Sequence, residues 1–107
     1  MSILTDIKNA LNIPVDDQSF DAEVGILIQG AISDLQDVGL PLHGVEIQSD
    51  FQSIPVDSKT LEHVKVYILL KTRVLFDTPS PTAAPIFEKN IEQALWRVRE
   101  SIGIEVN

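Results

Sequence analysis

The sequence predicts an all-α fold, a small bundle of about four helices with a long loop between the second and the third. Apolar residues recur at three- and four-residue steps in four separate segments. Prolines fall at or beyond the margins of those segments, where they stop or start helices rather than break them. The chain has 107 residues, 44% of them hydrophobic. That is enough for a single domain, residues 1–107, whose core buries roughly 65% of the unfolded chain's surface.

The first helix is short, about residues 3–12. Ile3, Ile7, Ala10 and Leu11 share one side, Ser2 is placed to cap its start, and Pro14 stops it. The second runs from about 20 to 38. Phe20, Val24, Leu27, Ile28, Ala31, Ile32 and Leu35 make a continuous stripe, with Asp17 or Ser19 as the cap and Gly39 and Pro41 at the end. Between 39 and 57 the periodicity breaks. Leu40, Leu42, Val45, Ile47, Phe51, Ile54 and Val56 are scattered among Gly, Pro, His and acids, with room for a short strand or hairpin around 45–54. A connection this long inside a small helical domain is uncommon, so its apolar residues either cover the core or meet a partner.

The third helix, about 58–76, begins with Ser58 as the expected cap. It is apolar on two sides: Leu61, Val64, Ile68 and Leu75 form one stripe, and Val66, Leu70 and Val74, with Tyr67 beside them, lie roughly opposite. Such a helix is either central in its bundle or shared with another molecule. A proline-marked linker, 77–82, leads to the fourth helix, about 84–102, with Pro85 in its first turn and Gly103 closing it. Its core stripe is Phe87, Ile91, Ala94, Leu95, Val98 and Ile102. Trp96 lies about 150° from the centre of that stripe, on a reverse face shared with Ile86, Lys89 and Gln93. Either another part of the chain covers Trp96 or a partner does, since large aromatics and arginines are enriched where interfaces are tightest.

Charge is divided along the chain. Residues 1–57 hold ten acids and one base, Lys8; residues 58–107 hold six acids and seven bases, and the whole sums to −8. Halves of opposite character can attract copies front to back, and such heterologous contacts close into rings when the rotation allows. The net charge argues against general affinity for nucleic acid or an anionic membrane. The longest apolar run, 66–70, is far short of a membrane span, and no basic start followed by an apolar stretch points to export. The expected compartment is the cytoplasm.

The inventory for chemistry is thin. There is no cysteine, which excludes disulfides, thiol catalysis and cysteine-ligated zinc. His43 and His63 have no second ligand at metal spacing. Asp16 and Asp17 approach a helix start, Asp34 and Asp37 lie one turn apart, and the five glycines form no phosphate-cradling cluster. The expectation is a protein without catalytic activity, cofactor or metal. Asp57-Ser58 occupies the place of a phosphopantetheine attachment site in acidic helical carrier proteins. The next residue is Lys59 rather than leucine, however, and the helix is basic where a carrier's is acidic. A small acidic helical carrier or regulatory protein-binding domain is the alternative class. Lys71 and Arg73, and likewise Arg97 and Arg99, are spaced by two, so neither pair shares a helix face, and with no basic run specific DNA recognition is not expected.

Taken together, these features resemble the small head–tail connector (adaptor) proteins of long-tailed bacteriophages. The likeness is carried by the opening run from Leu4 through Thr5, Asp6, Ile7, Lys8, Asn9, Ala10 and Leu11 to Ile13, by Asp16-Asp17, and by Phe20-Asp21 at a helix start. It continues through Ile26, Leu27, Ile28, Gln29, Gly30, Ala31 and Ile32 to Leu35, the third helix from Leu61 to Phe76, and the proline-marked step into the fourth. The resemblance implies a homo-oligomeric ring beneath the portal protein, in the virion neck after assembly in the host cytoplasm. It also implies contact with a tail-completion or next connector protein, and genome DNA passing through the centre without specific binding. On that reading the 39–57 loop, through Phe51 and Ile54, reaches the portal or the next ring. Val66, Tyr67, Leu70 and Val74 of the third helix, with Ile86, Lys89, Trp96 and Arg99 of the fourth, form subunit contacts.

Overall fold

The computed structural model describes residues 2–102. Helix α1 spans Ile3–Ala10, α2 Asp21–Asp37, α3 Ser58–Phe76 and α4 Ala84–Ser101, and the one other helical turn is a 3-10 turn at Phe51–Ser53. The all-α bundle of four helices is what the periodicity predicted. Helix α3 is the central one. It packs against α2 on one side and α4 on the other, while α1 lies on α2. The molecule measures 44 × 35 × 19 Å. The short dimension is under two helix diameters, so the helices lie in a thin layer and each keeps a face outward.

Local chemistry sets each boundary. The Ser2 hydroxyl accepts the Thr5 N–H at 3.0 Å and caps α1. Asn12, in the left-handed region at φ 62, ends the helix before Pro14 is reached. The Asn12 N–H donates to the Asn9 carbonyl and the Ile13 N–H to that of Lys8, the paired closure typical of a left-handed helix end. Helix α2 ends the same way at Gly39 (φ 107), with the Leu40 N–H on the Leu35 carbonyl at 3.1 Å and both side chains buried.

Two expected caps fall elsewhere. Phe20 occupies the N-cap position of α2 with no side-chain cap bond, and the Asp17 carboxylate instead accepts the Ser19 N–H within the preceding turn. Asp57, not Ser58, caps α3, accepting the Thr60 N–H at 2.7 Å. Pro85 sits in the first turn of α4 as expected. Gly103, the expected closing residue, lies outside the described residues.

The 39–57 connection forms neither strand nor hairpin. Leu40, Leu42, Phe51 and Ile54 are buried, and Val45, Ile47 and Val56 pack against the core from the side. Its backbone performs a second task. The Ile3 N–H donates to the Ser49 carbonyl at 2.8 Å and the Leu4 N–H to the Ile47 carbonyl at 2.9 Å. These are amides of the first turn of α1, which have no partner inside their own helix. Ile47 also crosses α2 at Gly25, where an added Cβ would lie 2.9 Å from the Ile47 Cδ1. A side chain there would push aside the Ile47 methyl, so glycine lets the loop lie closer on the helix.

The core contains Val24, Ile28, Ala31, Ile32 and Leu35 of α2, Leu61, Val64, Tyr67 and Ile68 of α3, and Ala94 and Val98 of α4. Leu75 and Ala10, expected on core stripes, are exposed near the ends of their helices, where little of the chain reaches them. Phe20 is partly exposed and meets Phe76 edge to face, with centroids 5.5 Å apart.

Candidate functional site

Charge is arranged differently in space than along the chain. Lys8, the one base of the first half, is 3% exposed. Its ammonium donates to the carbonyls of Asp17 (2.8 Å) and Val15 (3.1 Å) and lies 2.7 Å from Asp21 Oδ1. Two donors bond carbonyls and the carboxylate beside them balances the charge, which makes its burial tolerable. Six of the ten acids of the first half are exposed, with no exposed base from that half among them. Helix α2 carries Asp21, Glu23, Asp34 and Asp37 and no base; α3 carries Lys59, Lys65, Lys71 and Arg73 against one acid, Glu62. The two helices adjoin, so the division does not separate two poles of the molecule. Part of it is satisfied internally, with Lys71 Nζ 3.7 Å from Asp34 Oδ2.

Asp34 also accepts the Tyr67 hydroxyl at 2.8 Å. Burial, then that hydrogen bond and the negative charge beside it, raise the Tyr67 phenol well above its ordinary range. At the start of α3, hydrogen bonds from Thr60 hold the Asp57 carboxyl below the usual carboxylate range. Capping thus accounts for Asp57, while Ser58 is the exposed first residue of α3. Among the described residues no group of three or more His, Cys, Asp or Glu side chains could hold a metal ion, and no helix is long and apolar enough to cross a membrane.

The ten candidate contact residues separate into three groups. Phe51, Ile54 and Tyr67 are buried within the chain and so are removed from the candidate surface. The 3-10 turn tucks Phe51 and Ile54 inward, and Tyr67 turns toward α2 to reach Asp34. The Phe51 ring instead has a neighbour in its own chain, with the Lys65 ammonium 5.7 Å from its centroid. Leu70, Val74 and Arg99 are half-buried. Val66, Ile86, Lys89 and Trp96 are exposed, Trp96 to 60%. No part of the described chain covers the indole.

The structure brings several of these together in a groove between α3 and α4. Val66 and Leu70 form one wall; Asn90, Gln93 and Ala94 form the other, with His63 and Arg97 at one end. The groove continues past His63 and Arg97 into a second hollow lined by Lys59, Trp96, Glu100 and Ser101. Val74 lies apart, lining a hollow beside the 78–80 linker with Arg73 and Phe87. What the groove offers is apolar contact from Val66, Leu70 and Ala94, with Lys59, Arg97 and Glu100 at its charged end.

Sequence reasoning missed the most exposed large apolar residue, Ile26 on α2, at 72%. The available signal was that Ile26 lies off the stripe of Val24, Ile28, Ala31 and Leu35 and has Gly30 one turn away.

A family model described as phage connector protein matches residues 3–103, nearly the whole chain. The chain belongs to the phage connector protein family. No curated protein and no solved structure matches it. This connector is accordingly a structural virion protein of the phage neck, one that associates with other head and tail proteins. The chain presents Trp96, Ile86, Val66 and Ile26 to solvent.

Proposed function

We propose that copies of this connector close into a ring beneath the portal, join the filled head to the tail, and leave a central channel through which the genome passes. The observation that carries the reading is the set of large apolar side chains on outward helix faces of a chain whose core is already complete: Ile26, Ile86, Trp96 and Val66. A small monomeric protein has little reason to expose so many, whereas subunit contacts bury them. The neck location supplied by the family makes a closed cyclic arrangement the natural one for a part that surrounds DNA. The net charge of −8, with Lys8 withdrawn from the surface, supports the channel. Multiplied around a ring, it repels phosphates, so DNA slides rather than binds.

Phage carrying a stop codon early in this gene should accumulate DNA-filled heads without tails. Cyclically averaged electron micrographs of intact necks should show the connector as a closed ring against the portal. Tailed, infectious particles from the null phage, or necks with a single copy, would overturn the proposal.

A further inference from the structure

Two outward stripes on this chain match in length and spacing and are opposite in charge. On α2 the stripe is Glu23, Ile26, Gly30, Ser33 and Asp37; on α3 it is Lys59, His63, Val66, Leu70 and Arg73. Both advance by three- and four-residue steps, so each lies along one face of its helix. Every residue of the α2 stripe is exposed, while on α3 Lys59, Val66 and Arg73 are exposed and His63 and Leu70 half-buried. The α2 stripe has an acid at each end and the α3 stripe a base at each end. The end charges are fourteen positions apart in both, about 21 Å at the helical rise.

Gly30 supplies an independent observation. A glycine in a helix interior costs about 1 kcal/mol relative to alanine. Gly25 has its reason in Ile47, but a Cβ at Gly30 would meet nothing within 4 Å. Packing within the described chain therefore does not require this glycine, and a neighbour seated on α2 would give it a reason.

We propose that the α2 stripe of one copy docks into the α3–α4 groove of the next. Glu23 meets Lys59, Ile26 seats beside His63 and Trp96, Gly30 and Ser33 give room to Val66 and Leu70, and Asp37 meets Arg73. Small residues then stand opposite large ones and each end carries an opposite-charge pair. A chain cannot satisfy its own stripes this way. Its α2 and α3 already face each other through Asp34, Tyr67 and Lys71, and the stripes lie on other sides. The contact is heterologous, so it propagates from copy to copy and closes when the rotation permits. This inference rests on the ring reading and names the subunit contact it uses.

The test is a photo-crosslink in assembled virions, with Trp96 replaced by p-benzoylphenylalanine. Irradiation should give a product of twice the chain's mass, joining position 96 to a peptide within 21–37 of a second copy. A crosslink to another virion protein, a crosslink to a different segment of the second copy, or no crosslink overturns the pairing. Where bulk at 96 blocks assembly, the same probe at Lys59 reads the same groove. Counting copies per neck in the same virions separates the two ideas. Many copies with the wrong crosslink sink the pairing alone, while one copy per neck sinks the ring as well.

Discussion

The ammonium of Lys8 lies 2.7 Å from Asp21 Oδ1, and this ion pair fixes the start of α2 to the body of α1. The same ammonium donates to the carbonyls of Val15 and Asp17, so one side chain holds both helices and the turn between them. Lys8→Met leaves Asp21 without its cation and two carbonyls without a donor. Breaking one side of a buried pair costs ~3–5 kcal/mol, and the lower end is expected because Asp21 is one-third exposed. Thermal melts should show Tm lowered by more than ~10 °C for a domain of this size. Lys8→Met combined with Asp21→Leu should recover part of the loss, since replacing both charges is far less harmful than stranding one.

The Tyr67 phenol, raised by burial and by Asp34, makes a second prediction through its sign. Folding favours the neutral phenol, so its contribution is complete below the ordinary tyrosine pKa near 10. That contribution is lost as pH climbs from there toward the higher folded value. Tyr67 is the single tyrosine of the chain, so absorbance titration reads it alone. Ionisation in the native protein should lag the urea-unfolded protein on the alkaline side, and coincident curves would contradict the buried Tyr67–Asp34 contact.

Gly30→Ala should stabilise the isolated chain by about 1 kcal/mol, because the site is helical and open. The same variant should assemble less well if a neighbour approaches there, so a higher Tm with fewer tailed particles is the expected pair of readings. Gly25→Leu should act in the opposite sense. It pushes Ile47 off α2 and costs ~2 kcal/mol, read by urea melts.

Trp96→Ala and Phe51→Ala should divide cleanly. With 60% of the indole in solvent, Trp96→Ala leaves the melt of the free chain almost unchanged and weakens assembly. Phe51→Ala empties a buried site and costs ~3–5 kcal/mol before assembly is reached. Trp96 is the single tryptophan, so its emission should shift to shorter wavelength as copies associate and the indole leaves water.

Much of the fold was legible because it rests on periodicity. Four helices and their order follow from apolar steps and from residues that stop helices, while the two apolar sides of α3 left open the central place that the packing shows. The ends were less legible. Asn12 and Asp57 took the roles expected of Pro14 and Ser58, since capping is decided by backbone geometry among several adjacent polar residues. The loop was opaque: Phe51 and Ile54 are apolar whether they face a core or a partner, and only the 3-10 turn decides. Lys8 was the costliest omission. Nothing in a single lysine among ten acids says that it is buried, and the partners that bury it include two main-chain carbonyls with no side-chain signature. Trp96 was placed on its face by the helical projection alone, but Ile26 was passed over because an isolated exposed isoleucine is ordinary until its neighbours are seen.

The hydrogen bonds from the Ile3 and Leu4 amides to the carbonyls of Ser49 and Ile47 also dictate an order of events during synthesis. The first turn of α1 cannot be completed until residues more than forty positions later have left the ribosome. Closing that long interval has an entropic cost that grows with the length of the loop closed. Maturation of α1 is therefore delayed until the 47–49 segment can fold back onto it.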